Sequence, residues 1–194
     1  ILGRRGWFQE RVFGRRRQLW RRRRIGRLVM YLRRLFRHLL LPHWWVLREF
    51  PPRLLSTIEQ AVKSSESGHS GELRVVVEAN LPLAALWHAQ SVRARAVELF
   101  AQTRVWDTEH NSGVLIYLQL IDRRVEIVAD RGINAKVGQP YWERVCRDME
   151  AAFRTGDFEG GTLLALRTIT EALAEHFAAS AENSNELPDA PLLL

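Results

Sequence analysis

Two polar loops, one on each side of a predicted β-hairpin, contain the residues best suited to chemistry. The first loop has Asp107, Glu109 and Asn111 at alternate positions, and the second has Asp130 and Arg131. Carboxylate and amide oxygens are hard ligands of the kind that Ca²⁺ and Mg²⁺ prefer. Asp107, Glu109 and Asp130 are therefore candidate ligands of a weak site for Ca²⁺ or Mg²⁺. The same residue types also form hydrogen bonds within turns, and this structural role is the favoured interpretation. The pattern therefore does not require a bound cation as a cofactor.

The predicted strands bring these loops together. Alternating apolar residues predict a strand that begins near Leu73 and a hairpin with strands at 114–120 and 125–129. A single long helix, predicted from Pro82 to about Gln102, connects the first strand to the second, and such a crossover makes them parallel. The third strand returns antiparallel, so its end meets the beginnings of the other two. This shared edge should contain Glu72, Asp107, Glu109, Asn111, Asp130 and Arg131.

Helical periodicity completes the predicted domain. Helices are expected to begin at Pro52 and at Pro140, and a last one should cover 162–177. Helices alternating with strands predict an α/β fold, with a mixed sheet and helices on both faces. The expected domain spans 42–180 and is followed by a flexible tail over 181–194.

Charge divides the chain into two parts. Residues 1–41 contain 14 basic residues and one acidic residue, a net charge of +13, whereas the remaining residues have a net charge of −6. The high overall positive charge therefore belongs to an N-terminal arm and not to the domain. Nucleic acid would attract such an arm through its phosphates. No nucleic-acid reader motif follows the arm, so nucleic acid is the less favoured partner.

An amphipathic helix is predicted at 25–41 within this arm. Apolar residues recur there at helical spacing, and the arginines lie mostly on the other face. This arrangement favours a helix on an anionic membrane surface, although a helix packed on the domain would show the same pattern. We therefore expect a cytoplasmic protein that is peripheral on the inner face of the membrane. The expected membrane-facing residues are Ile25, Leu28, Leu32, Leu35, Phe36 and Leu39.

Common catalytic signatures are missing from the sequence. It contains no GxxxxGK[ST] phosphate loop, no HExxH zinc pair and no GxSxG nucleophile elbow. Its only cysteine, Cys146, lies on an apolar helix face, where a small core residue is the favoured interpretation. These patterns therefore identify no catalytic residue.

Several motifs together resemble the TPM domain family, and more closely a compact bacterial subgroup of it. They are RVWDTE at 104–109, NSGVL at 111–115, VEIVADRGI at 125–133, FRTGDF at 153–158 and NELPD at 185–189. The resemblance covers roughly 71–177. It implies an α/β sandwich with helices on both faces of a mixed sheet.

The same resemblance implies three expectations about function. The family includes a plant thylakoid phosphatase and many bacterial membrane-associated proteins, and it suggests a membrane-protein partner, for which the LemA type is a candidate. Gly138 and Gln139 stand where the family usually has an Asp, which weakens the phosphatase and calcium interpretations. The favoured hypothesis is a non-enzymatic TPM-type binding module at a membrane surface or on a membrane-protein partner, with an envelope-related role. The alternatives are a divalent-metal-assisted phosphatase and nucleic-acid association through the arm.

Overall fold

The computed structural model describes residues 32–40, 45–179 and 185–194. The chain divides into two units after residue 40. Residues 32–40 of the first unit are helical, in agreement with part of the predicted helix. Residues 25–31 and 41 of that predicted helix, which include Ile25 and Leu28, lie outside the described residues. No helix in the described ranges is long and apolar enough to cross a membrane.

A four-stranded mixed sheet organises the second unit. The strands lie in the order β3-β2-β1-β4. Strand β1 pairs in parallel with β2 and β4, and β2 pairs antiparallel with β3. This arrangement confirms the predicted parallel crossover and the predicted hairpin. The strands are β1 (Leu73–Glu78), β2 (Val114–Gln119), β3 (Arg124–Ala129) and β4 (Leu192–Leu193).

Helices cover both faces of this sheet, as predicted for the α/β class. The described helices of this unit are α1 (Trp45–Glu49), α2 (Pro52–Ser65), α3 (Leu83–Trp87), α4 (Val92–Gln102), α5 (Arg131–Val137), α6 (Gln139–Arg154) and α7 (Phe158–His176). One core lies between the sheet and α2, α6 and α7, and includes Val75 and Ile116. The second lies under α4 and includes Val76, Leu115 and Tyr117. Because alternate strand residues enter opposite cores, all six residues of β1 and of β2 are buried.

The second core also contains a buried ion pair. The guanidinium of Arg95 on α4 donates to the carboxylate of Glu78 on β1, with Nη2 2.7 Å from Oε1. The hydroxyl of Tyr117 on β2 donates to the other oxygen of the same carboxylate. These hydrogen bonds compensate for the removal of both charges from water and attach α4 to two strands.

The predicted long helix over Pro82–Gln102 is wrong, because the chain forms two helices there. Ala89 adopts a positive φ of 50°, which ends the helical path after α3. The Ser91 side chain then accepts a hydrogen bond from the Ala94 backbone and caps α4. On α3, Leu83 and Trp87 are 62% and 75% exposed.

Aspartate caps explain one helix that was not predicted and one that begins earlier than predicted. The residues after β3 were expected to form a polar loop, but the Asp130 side chain accepts from the Arg131 N–H and opens α5. The last helix begins at Phe158 and not at Thr162, since Asp157 accepts from the Gly160 N–H. Aspartate is a preferred N-cap because its carboxylate satisfies otherwise unpaired N–H groups.

The end of the tail is ordered, whereas a flexible tail was expected over 181–194. Within the described part, 185–194, strand β4 pairs with β1 and Leu187 is buried in the second core. Arg74 of β1 donates to the carbonyls of Pro188 and Ala190. The tail therefore supplies a fourth strand that apolar periodicity over two residues could not reveal.

The outer edge of β3 is covered by side chains from two helices. The N–H of Val125 donates to Oε1 of Glu150 on α6 at 3.2 Å. The carbonyl of Ile127 accepts from Nη1 of Arg93 on α4 at 2.5 Å. Charged side chains thus occupy backbone groups that another strand would otherwise pair with.

Candidate functional site

The expected edge forms where the first three strands come together. Glu72, Gly113 and Asp130 lie side by side there, because Val114 N–H donates to the Glu72 carbonyl and Asp130 N–H donates to the Gly113 carbonyl, each at 2.8 Å. Topology therefore places the polar residues before β1 and β2 beside those after β3. The candidate edge consists of these three positions, the loop 103–113 and the first turn of α5.

Two glycines let the loop and α5 pack closely at this edge. A Cβ atom on Gly113 would lie 1.9 Å from the carbonyl oxygen of Val105. A Cβ atom on Gly132 would lie 2.5 Å from the carbonyl oxygen of Asn111. Both contacts are with backbone atoms, so a larger residue would displace the loop from the sheet.

Asn111 connects the loop to α5. Its backbone has a positive φ of 53°, which asparagine adopts more readily than most residues. Its carbonyl accepts from the N–H groups of Gly132 and Ile133, at 3.0 and 3.3 Å. Its side-chain oxygen accepts from Nε of Arg131 at 3.0 Å. The predicted proximity of Asn111 and Arg131 is thus found, and its clearest consequence is to fix the loop.

Ser112 strengthens the same loop, and it was not among the residues predicted for the edge. The Ser112 hydroxyl donates to the carbonyl of Ser70 at 3.3 Å, which joins the loop to the segment before β1. The Ser112 N–H donates to Oγ1 of Thr108 at 3.1 Å. A Thr four residues before a Ser is a weak local signal, and the contact with Ser70 requires the tertiary fold.

Each of two carboxylates at the edge has one oxygen that is buried and unpaired. Glu72 is 3% exposed, and its Oε1 accepts from the Glu186 N–H of the tail at 3.2 Å. Burial raises the pKa of Glu72, and the nearby carboxylates of Glu186 and Asp189 add to the shift. Oε2 of Glu72 and Oδ2 of Asp130 have no hydrogen-bond partner in the described structure. Unpaired buried oxygens are uncommon, so these two atoms distinguish the edge from an ordinary turn.

The other two carboxylates of the edge face solvent. Oδ2 of Asp107 lies 3.4 Å from Nη2 of Arg104, and both side chains are at least half exposed. Glu109 is exposed. Within 32–40, 45–179 and 185–194, no group of three or more His, Cys, Asp or Glu residues is arranged to hold a metal ion. The proposed set of Asp107, Glu109 and Asp130 is therefore not assembled as a cation site.

The edge is suited to presenting a fixed polar loop. Its hydrogen bonds hold 103–113 against the segment before β1, the end of β3 and α5, while Asp107 and Glu109 remain exposed. Two cavities of about 430 Å³ each lie elsewhere, and no residue of the predicted edge lines either one.

The chain is similar to known proteins in both sequence and structure. The sequence model of the TPM domain matches residues 51–172, which include β1 to β3 and most of α7. The NMR structure of the BA42 protein from the psychrophilic bacterium Bizionia argentinensis is similar to this chain, with 27% identity and a TM-score of 0.64. That similarity covers 73% of this chain and 93% of BA42.

A second solved structure has the same fold. It is the N-terminal domain of a protein from P. gingivalis, with 18% identity and a TM-score of 0.55, and the similarity covers 72% of this chain and 94% of that domain. No curated protein matches the sequence. The family match extends over more than half of the chain, and the chain therefore belongs to the TPM domain family.

Proposed function

We propose that this protein is a non-enzymatic TPM-type binding module held at an anionic membrane surface. One observation carries the proposal, namely the exposed apolar stripe of the helical segment 32–40. Leu32 is 41% exposed, Phe36 and Leu39 are each 58% exposed, and Leu40 is 75% exposed. Large contiguous apolar surfaces exposed on a protein commonly mark an interaction site.

The stripe has the geometry of an interfacial helix. At about 100° per residue, Leu32, Phe36, Leu39 and Leu40 fall on one side, and the half-buried Leu35 extends it. Arg33 and Arg37 are exposed on the flank of the stripe next to Leu40. A helix of this kind lies in the membrane plane, with its apolar side chains in the acyl boundary and its arginines at the headgroups.

Charge and apolar burial have separate roles in this proposal. Each Lys or Arg near an anionic leaflet contributes roughly 1 kcal/mol of attraction, and this attraction weakens as salt is added. Residues 1–41 contain 14 basic residues, so the arm supplies the attraction. Insertion of the leucines and of Phe36 would then prolong binding once the arm has reached the surface.

The candidate edge supplies the binding part of the module. A fixed loop with exposed Asp107 and Glu109 is suited to a basic surface of a membrane-protein partner. The phosphatase alternative stays a prediction. It is the less favoured hypothesis because Asp130 caps α5 and Asp107 pairs with Arg104. Phosphate release that disappears in an Asp107→Ala, Asp130→Ala variant would favour that alternative instead.

Liposome flotation tests the membrane proposal. The full chain should float with vesicles that contain anionic lipid and not with neutral vesicles. A truncation that contains only 42–194 should remain unbound. A Leu32→Glu, Phe36→Glu variant should also remain unbound, because its charged side chains cannot enter the acyl boundary.

A matched control separates insertion from charge. The Leu83→Glu, Leu164→Glu variant introduces the same two charges at positions that are 62% and 55% exposed on the second unit. It should float like the unchanged protein. Normal flotation of the Leu32→Glu, Phe36→Glu variant would show that the apolar stripe does not insert. Failure of the full chain to float would overturn the proposal and favour a protein partner.

A further inference from the structure

A cavity of about 430 Å³ opens at the end of β2 opposite the candidate edge. Leu118, Leu120 and the turn between β2 and β3 form one wall, and the junction of α6 with α7 forms the other. This volume lies within the range of about 300–1,000 Å³ that is usual for sites of small organic ligands. The cavity is independent of the proposed membrane function.

The interior of the cavity is apolar. Leu118 and Leu120 come from the end of β2, and Phe153 and Phe158 come from opposite sides of the helix junction. The two phenyl rings lie 4.9 Å apart, and both contact the ring of the buried Phe50 edge-on. A fixed aromatic and aliphatic floor of this kind favours the apolar body of a ligand.

The mouth of the cavity has an excess of positive charge. Three arginines, Arg123, Arg124 and Arg154, line it together with Glu49 and Glu150. Glu150 lies 3.5 Å from Arg124 and 3.6 Å from Arg154, so its charge is already shared between two guanidinium groups. Glu49 lies 3.8 Å from Arg48.

Arg123 is the cation of the mouth that remains available. In the described ranges it forms no ion pair with a carboxylate. Its backbone is held at a positive φ of 54° in the hairpin turn, where its N–H donates to the carbonyl of Leu120 at 3.1 Å. The turn thus fixes the base of an exposed guanidinium beside an apolar cavity.

We propose that this cavity binds a small carboxylic acid with an apolar body. The body would lie on the floor of Leu118, Leu120, Phe153 and Phe158. The carboxylate would accept hydrogen bonds from Arg123, whose planar guanidinium matches a carboxylate in shape. One excess positive charge at the mouth suits one negative charge on the ligand.

NMR titration of the full chain tests the proposal. Octanoate and 4-phenylbutyrate serve as aliphatic and aromatic probes. The probe that binds more tightly shows whether the cavity prefers an aliphatic or an aromatic body. The amides of 118–124 and 153–158 should shift and saturate with at least one probe. Octanol lacks the charge and acetate lacks the body, so each should bind at least about tenfold more weakly.

Substitutions at Arg123 test the role of the charge. Arg123→Asn removes the guanidinium and keeps a residue suited to positive φ, so the turn should be retained. It should weaken binding of the preferred probe about tenfold and leave octanol unaffected. Arg123→Lys keeps the charge but loses the planar guanidinium, so its affinity should lie between those of the unchanged chain and of Arg123→Asn. Arg167→Gln, an exposed change on α7 outside the lining, should have no effect.

Three results would overturn the proposal. The first is the absence of shifts at 118–124 and 153–158 with either probe. The second is shifts confined to 32–40, which would indicate adsorption to the exposed apolar helix. The third is unchanged affinity of Arg123→Asn for both probes, which would remove the role of the mouth in selecting an anion.

Discussion

Replacing Glu78 with methionine should destabilise the domain by about 4 kcal/mol. The Glu78 side chain is 1% exposed and that of its partner Arg95 is 9% exposed, so the substitution leaves a buried guanidinium without its main acceptor. It also removes the acceptor of the Tyr117 hydroxyl. Methionine is similar in length to glutamate, so the expected loss comes from charge and hydrogen bonding and not from a cavity.

The magnitude follows from three contributions. Removing one partner of a buried ion pair costs about 3–5 kcal/mol. A buried hydroxyl left without a partner adds about 1–3 kcal/mol. Glu98 offsets part of this loss, since its Oε1 lies 3.1 Å from Nη1 of Arg95. The two costs sum to about 4–8 kcal/mol, and the retained, 40% exposed Glu98 places the net value near 4 kcal/mol, at the low end of that range.

Urea denaturation measures this loss. For a domain of this size, a slope of about 2 kcal/mol per molar urea converts 4 kcal/mol into a midpoint lower by about 2 M. Glu143→Met is the control, because its ion pair with Arg147 is 4.0 Å long and more than half exposed. It should change the free energy of unfolding by less than about 0.5 kcal/mol.

A double-mutant cycle tests the reasoning itself. Arg95→Met alone should also be destabilising, and the Glu78→Met, Arg95→Met variant should lose clearly less than the sum of the two single losses. A single Glu78→Met loss below about 1 kcal/mol would refute the assigned cost of the buried charge. Losses that simply add would show that the two side chains are not coupled.

Two further predictions concern the domain limits and pH. A 42–194 protein should give dispersed amide NMR spectra, whereas a 42–184 protein should melt at a lower temperature because it lacks β4 and Leu187; equal melting would contradict this role of the tail. Burial, with Glu72 and Asp189 nearby, raises the pKa of Glu66 to about 8. Because the pKa of Glu66 is higher in the folded protein, the free energy of unfolding falls as pH rises from about 4.5 towards 8. Glu66→Gln should make this fall smaller. Urea titrations that show the same pH dependence for both proteins would contradict the prediction.

The strands were predictable because their apolar periodicity is local. The predicted strands 114–120 and 125–129 differ from β2 and β3 by a single residue at one end of each. Their pairing followed from general rules for crossovers and hairpins. Strand β4 was not predicted because two residues are too few to show an apolar periodicity. The contacts of the tail with β1 also involve Arg74 and Leu187, which are far apart in sequence.

The helix boundaries were less predictable because caps decide them. Ser91, Asp130 and Asp157 each accept a backbone hydrogen bond at a helix start. These residue types also favour turns, so the sequence alone does not distinguish a cap from a loop. Nothing in the sequence indicates the positive φ of Ala89, since alanine is the strongest helix former.

Topology predicted which residues of the site meet, but not where their side chains point. Asn111 and Arg131 are hydrogen-bonded, and Glu72 and Asp130 lie on either side of Gly113 at the ends of three neighbouring strands, as the crossover requires. Asp107 instead pairs with Arg104, three residues before it, because the loop turns there. The cavity beside Arg123 was not predicted, because its walls come from elements that are far apart in sequence, namely β2, α1 and the junction of α6 with α7.

The covering of β3 by Glu150 and Arg93 has a consequence for the behaviour of the protein at high concentration. An uncovered edge strand presents unpaired N–H and C=O groups that template further strands, which is a common route to aggregation. Here a carboxylate occupies the N–H of Val125 and a guanidinium occupies the carbonyl of Ile127. Any neighbouring strand would have to displace and desolvate both charges before it could pair. Resistance to edge-to-edge association therefore resides in two side chains from helices on opposite faces of the sheet.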